Sequence, residues 1–155
     1  MKTLYTLLIA CGLCFTVHAQ QLINFDQLNQ NEVIQLEQYK SNDTYLLLLQ
    51  EGFAPKLIGD ATKTKVIHVV GFNTLNDEVV AENIEFFSQA KAILINDFEE
   101  QSVSISPLDL STCVELEYIT FNMQQEISNT ILQNWISNSQ LPLQIKIVKK
   151  VMQLN

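Results

Sequence analysis

Asn96-Asp97 with Glu99-Glu100 is the densest run of oxygen-bearing side chains in the sequence. It directly follows the apolar run Ala92-Ile93-Leu94-Ile95. Carboxylates at a strand end can collect a calcium ion or carry acid–base chemistry. The spacing is not that of an EF-hand loop, so a solvated charged loop is the simpler reading. An acid–base site here would draw on Asp97, Glu99 and, from a neighbouring strand, Asn122. His68 lies between Ile67 and Val69, and a lone histidine in a strand is more often a packing residue than a base. Cys113 sits in an apolar stretch with no histidine near it in sequence, which suits a buried, unreactive thiol. Cys11-Gly12-Leu13-Cys14 has the C-x-x-C spacing, but it falls inside a leader-like segment. Gly52, Gly59 and Gly71 stand singly, so no glycine loop cradles a phosphate. No cofactor, metal or catalytic residue is expected from these patterns.

Residues 1–19 read as a signal peptide. Lys2 provides the positive start, Leu4–Val17 the apolar stretch, and Val17-His18-Ala19 a small-x-small cleavage pattern, leaving Gln20 first. The apolar stretch is short for a membrane span. Leu8-Ile9-Ala10-Cys11 gives a second reading, lipidation at Cys11, but the apolar run continues past it to Val17. A secreted or periplasmic location follows as the expectation. Residues 20–155 then form a single α/β domain with one cysteine, so packing rather than disulfides must stabilise it.

The chain has 155 residues and 47% hydrophobic content, enough for a sizeable core. Its 17 acidic residues outnumber nine basic ones, all lysine, giving a formal net charge of −8. Without arginine it lacks the planar fork that grips phosphates and base edges. Nucleic acid and anionic membrane are therefore poor partners, and a protein partner is the expected kind.

The elements that would position these groups follow a period of 26 residues. Ile67, Ile93, Ile119 and Ile145 share one column, and Val69, Ile95, Phe121 and Ile147 a second. Upstream columns hold Phe53, Val79, Ile105 and Ile131, and Ile58, Ile84, Leu110 and Ile136. Column residues two apart describe a strand. The segments between them place apolar residues at helical spacing, as in Val80, Ile84 and Phe87, after a cap at Asn76. Gln124–Ser137 reads as another helix, and the connector 101–114, with Pro107, as a short helix or irregular turn. Strand, crossover and strand again forces parallel pairing. Tyr45–Gln50 reads as an earlier strand and residues 20–50 as an N-terminal cap; at the other end Lys149 and Lys150 read as exposed.

These units resemble leucine-rich repeats. Leu110–Asn122, "LSTCVELEYITFN", carries the resemblance most closely, with Leu116, Ile119 and Phe121 as anchors; "AKAILIN" and "TKVIHVV" follow it more loosely. The resemblance implies a secreted repeat solenoid of about four 26-residue strand–helix units, with one sheet face open. On that face His68, Leu94, Tyr118, Thr120 and Lys146 would contact a partner. The expected function is a non-catalytic binding or scaffold module. The alternative fold is a compact α/β domain with helices on both sides of a parallel sheet, because "YLLLLQ", "VIHVV" and "AILI" are apolar on both faces. The alternative function is a small extracytoplasmic hydrolytic enzyme with its site at the strand C-terminal ends.

Overall fold

The computed structural model describes residues 20–49, 53–97 and 105–152. The expected signal peptide, Cys11, Gly52, Glu99 and Glu100 lie outside the described residues. The fold is α/β, with a seven-stranded sheet that is parallel except at one edge. Its strands are β1 (Gln21–Asn24), β2 (Tyr45–Leu48), β3 (Lys56–Ile58), β4 (Val66–Val70), β5 (Ala92–Asp97), β6 (Tyr118–Met123) and β7 (Lys146–Val151). They lie in the order β1-β7-β6-β5-β4-β2-β3, with β3 antiparallel to β2.

The 26-residue column is a true register in the middle of the sheet. Ile67 pairs with Ile93 and Ile93 with Ile119. The fourth strand departs from it: Ile119 pairs with Ile147, not Ile145. The Leu141–Gln144 lead-in carries the extra length. A slip of two preserves which side chains face which way, whereas a slip of one would invert them. Ile145 accordingly remains buried in the same core as Ile147.

From β4 to β7 the strands follow one another in order across the sheet, and their crossovers stack on one face. Those crossovers contain α2 (Asp77–Glu82), α3 (Ile84–Phe87) and α4 (Asn129–Asn138). Asn76 caps α2, its side chain accepting from the Val79 amide at 3.0 Å. The connector between β5 and β6 forms turns over residues 105–117 rather than a helix. Helix α4 starts at Asn129, not at Gln124, because Ser128 caps it and the preceding segment wraps Lys149. That lysine is buried rather than exposed. Its ammonium donates to Glu126 at 2.9 Å, to Asn129 at 2.7 Å and to the Ile127 carbonyl at 3.4 Å. The main core on this face joins Ile67, Ile93, Ile119 and Ile147 to Phe87 and Trp135. Phe121 stacks on Phe72 at 5.7 Å and meets Trp135 edge-on at 5.3 Å.

The opposite face is also covered, an arrangement compatible with the compact α/β alternative. Strands β1 and β2 are separated by four others, so the chain between them must cross the sheet. At strand spacings of about 4.8 Å that crossing is roughly 24 Å. Helix α1 (Gln30–Lys40), 11 residues long, supplies about 16 Å of it. Asn29 caps it in a reciprocal pair with Glu32: the Glu32 amide donates to Asn29 at 3.1 Å, and the Asn29 amide donates to Glu32 at 2.8 Å. Leu36 is its buried anchor, packed in a second core with Val66, Ala92, Leu94, Tyr118 and Val148. The segment 20–50, expected as a cap at one end, therefore supplies through its described residues 20–49 the edge strand β1, the strand β2 next to the other edge, and the helix over the face between.

Candidate functional site

Three of the five residues expected on an open face lie beneath α1. Leu94, Tyr118 and Thr120 are buried. The sheet face is greasy because it is a second core, not a contact surface. His68 pairs in register with Leu94, and Leu94 with Thr120, so these three form one row across the sheet. The His68 ring packs against Tyr45 at 4.5 Å, and burial lowers its pKa below the ordinary 6.5. Nε2 of His68 and Oγ1 of Thr120 are buried with no hydrogen-bond partner. The space beside Thr120, between Leu36, Asn122 and Lys150, has a volume of about 30 Å³. That is the size of one water molecule and excludes a small-molecule ligand.

At the C-terminal ends of the strands, alternation separates the residues proposed for hydrolysis. The Asn122 amide donates to Asn96 at 3.0 Å, on the α1 side. Asp97 projects to the other side, where it accepts from the Phe72 backbone amide at 3.2 Å. Asp97 and Asn122 therefore do not converge. Among the described residues no group of three or more His, Cys, Asp or Glu side chains could hold a metal ion. Cys113 is fully buried, and burial raises its thiol pKa, as suits an inert core residue.

Polar groups do converge at the opposite, N-terminal rim. Lys65, Lys91 and Glu117 each immediately precede a strand, and backbone bonds carry the ladder outward through them: Glu117 N to Lys91 O at 2.9 Å and Lys146 N to Glu117 O at 2.9 Å. The Glu117 carboxylate accepts from Lys91 at 3.1 Å, from the Tyr39 hydroxyl at 3.0 Å and from the Gln35 amide at 2.5 Å. Tyr118 donates its hydroxyl to Gln35 at 3.2 Å. Lys146 pairs with Glu32, so one carboxylate both caps α1 and ties it to β7. Lys65 adds a pair with Glu115 at 3.8 Å.

Pairing and burial fix the charge state of four members of this network. The Glu117 hydrogen bond raises the Lys91 pKa, and desolvation raises that of Tyr39. Both therefore keep their protons near neutral pH. The Lys146 hydrogen bond pulls the Glu32 pKa down, and the Glu32 hydrogen bond pushes that of Lys146 up. These interactions hold Lys91 and Lys146 as ammonium groups, Tyr39 as a neutral phenol and Glu32 as a carboxylate.

Beside the network opens a cleft of about 810 Å³. Lys91, Glu115, Glu117 and Lys146 supply its polar lining, and Val114 and Leu143 its apolar one. Val114 is 79% exposed and Leu143 73% exposed, the two most exposed large apolar side chains among the described residues. Of the five expected contact residues, Lys146 and Tyr118 line this cleft, while His68, Leu94 and Thr120 do not. Sequence reading missed Lys91, Glu117, Tyr39, Gln35 and Glu32. The available signal was the charged column Lys65, Lys91 and Glu117, one residue ahead of each strand at the same 26-residue period. No helix among the described residues is long and apolar enough to cross a membrane. Comparison with known proteins finds no matching family model, no matching curated protein and no matching solved structure.

Proposed function

We propose that the chain is a secreted or periplasmic, non-catalytic binding module whose contact surface is the cleft at the N-terminal rim of the sheet. The observation that carries this reading is the exposure of Val114 and Leu143 on a cleft whose charged groups are already paired. Large apolar groups held out in water on a rigid frame suit the centre of a protein contact, and charged groups around them suit its rim. The occupant that fits is an extended polypeptide carrying aliphatic side chains. A single-sign ligand does not fit, because Lys91 and Lys146 are balanced by Glu117 and Glu32. The repeat-like strands β4 to β7 are, in this reading, a scaffold in the manner of the leucine-rich repeats they resemble, with α1 laid across the face a partner would otherwise use. Export follows from residues 1–19, and N-terminal sequencing of protein from the envelope or medium should begin at Gln20.

The test is a pull-down from the cell envelope and medium with wild-type protein and with the double variant Val114→Asp/Leu143→Asp. Both positions are exposed, so the variant should keep the wild-type circular dichroism and melting temperature. A partner retained by wild type and lost by the variant supports the cleft. A partner held equally by both proteins refutes it.

A further inference from the structure

Two segments far apart in sequence are free of charge. Residues 20–25 hold no charged side chain, and neither do the 19 residues from Ile127 to Ile145. This is unusual in a chain with 17% charged residues and a net charge of −8. The fold brings the two segments together: β1 forms one end of the sheet, and α4 lies over that end. A groove of about 440 Å³ runs between them, lined by Gln21 and Leu22 from β1 and by Gln133, Ile136 and Ser137 from α4. Among the described residues β1 has one strand neighbour, β7, so its outer backbone edge is open.

The other sheet edge is protected. Strand β3 is three residues long, starts directly after Pro55 and carries an exposed Lys56. Proline, lysine and short length are the usual devices that keep an edge from pairing. Strand β1, Gln-Leu-Ile-Asn, has neither of those residues.

We infer that the β1 edge and the outer face of α4 form the interface of a homodimer. A two-fold axis perpendicular to the sheet near Leu22 sets β1 antiparallel to its copy and joins the two sheets into one. It also keeps both α4 helices on the same side, where Leu22 and Ile136 of the two grooves close on each other. The absence of charge is what selects a second copy over a different partner. A charged group lying on a two-fold axis meets its own copy, so like charges oppose each other there. A different partner can supply the opposite sign and needs no neutral patch. In a chain of net charge −8, copies repel one another overall, and an uncharged patch is where that repulsion opposes contact least.

The experiment is sedimentation equilibrium of the purified protein from about 1 to 200 µM, a range around the micromolar affinities of modest dimers, with wild type, Gln133→Glu/Ser137→Glu and Leu57→Glu. Gln133 and Ser137 are exposed and Leu57 lies on the β3 edge, so all three proteins should share one circular dichroism spectrum. The expected result is a wild-type dimer, at least a tenfold weaker association in Gln133→Glu/Ser137→Glu, and no change in Leu57→Glu. Hydrogen exchange at the amides of residues 21–24 should slow as wild-type concentration rises, a readout that needs no variant. A wild-type monomer throughout the range overturns the inference. So does a dimer that ignores the α4 charges, or one whose β1 amides exchange independently of concentration. Val114 and Leu143 do not line this groove, so the outcome is independent of the cleft reading.

Discussion

Leu36→Ala tests whether α1 truly closes the second face of the sheet. Leu36 is 5% exposed and is the one buried residue of α1, set against Val66, Leu94, Tyr118 and Val148. Truncation removes three carbons, which at about 0.8 kcal/mol per methylene is a transfer loss of about 2.4 kcal/mol. The cavity left behind adds to this, within the range of about 2–5 kcal/mol found for such changes. Helix α1 is tied at the rim by Gln35, Tyr39 and Glu32, so it can settle only partly, and a loss of about 3 kcal/mol is expected. Against a total of about 5–15 kcal/mol that is a large fraction. Urea unfolding followed by the fluorescence of Trp135 reads it well. Trp135 is the lone tryptophan, buried in the other core with its indole donating to the Ser106 carbonyl at 2.9 Å. The transition midpoint should fall by about 1.5–2 M with the slope unchanged. Ile34→Ala on the outer side of the same helix, 49% exposed, is the control and should cost less than about 0.5 kcal/mol. Equal, small effects from both substitutions would refute the idea that this helix covers a core.

His68 should make the protein acid-sensitive. Its folded pKa is depressed by burial, so below pH 6.5 the unfolded chain binds a proton that the folded one refuses. Stability is then fully present above that pH and declines as pH falls below it. His68→Leu should flatten the dependence of the melting temperature between pH 7.5 and 5.5, and an unchanged slope would show that another group is responsible. Gly59→Ala should destabilise strongly. Gly59 has φ +80, and an added Cβ would lie 2.5 Å from the Thr44 methyl and 2.9 Å from the Asp43 carbonyl. Backbone strain of about 1–3 kcal/mol adds to a clash of similar size. A thermal melt within 1–2 °C of wild type, which corresponds to a few tenths of a kcal/mol, would contradict this.

The central strands were legible because their apolar residues repeat in phase, and pairing from Ile67 to Ile119 keeps that phase. The cover on the second face was not. Helix α1 buries one residue, so its sequence looks like that of a surface helix at the end of a stack. Its role depends on β1 pairing with β7, a contact between Gln21 and Lys146 that no local pattern encodes. Lys149 was misread for a related reason: adjacent lysines near a chain end look solvated, yet strand alternation drives one into the core side, where Glu126, Asn129 and a carbonyl meet it. Alternation also separates Asp97 from Asn122, since Asn96, not Asp97, pairs in register with Asn122. That separation could have been read from the 26-residue column alone.

Crossovers that all pass on one side of a sheet leave the other side bare, and an apolar bare face needs either a partner or a segment of its own chain. Here the chain supplies the segment, because its first strand pairs at the far end of the sheet from its second. That choice consumes the broad surface which a stack of repeats would present. On the proposed binding reading it leaves the strand ends and the sheet edges as contact places. At one end, paired lysines and glutamates hold α1 down and frame exposed Val114 and Leu143. At one edge, an uncharged strand and an uncharged helix lie side by side. The same pairing of β1 with β7 thus accounts for the covered face and for the open edge, and in a binding module of the kind proposed it would shift recognition from the middle of the sheet to its margins.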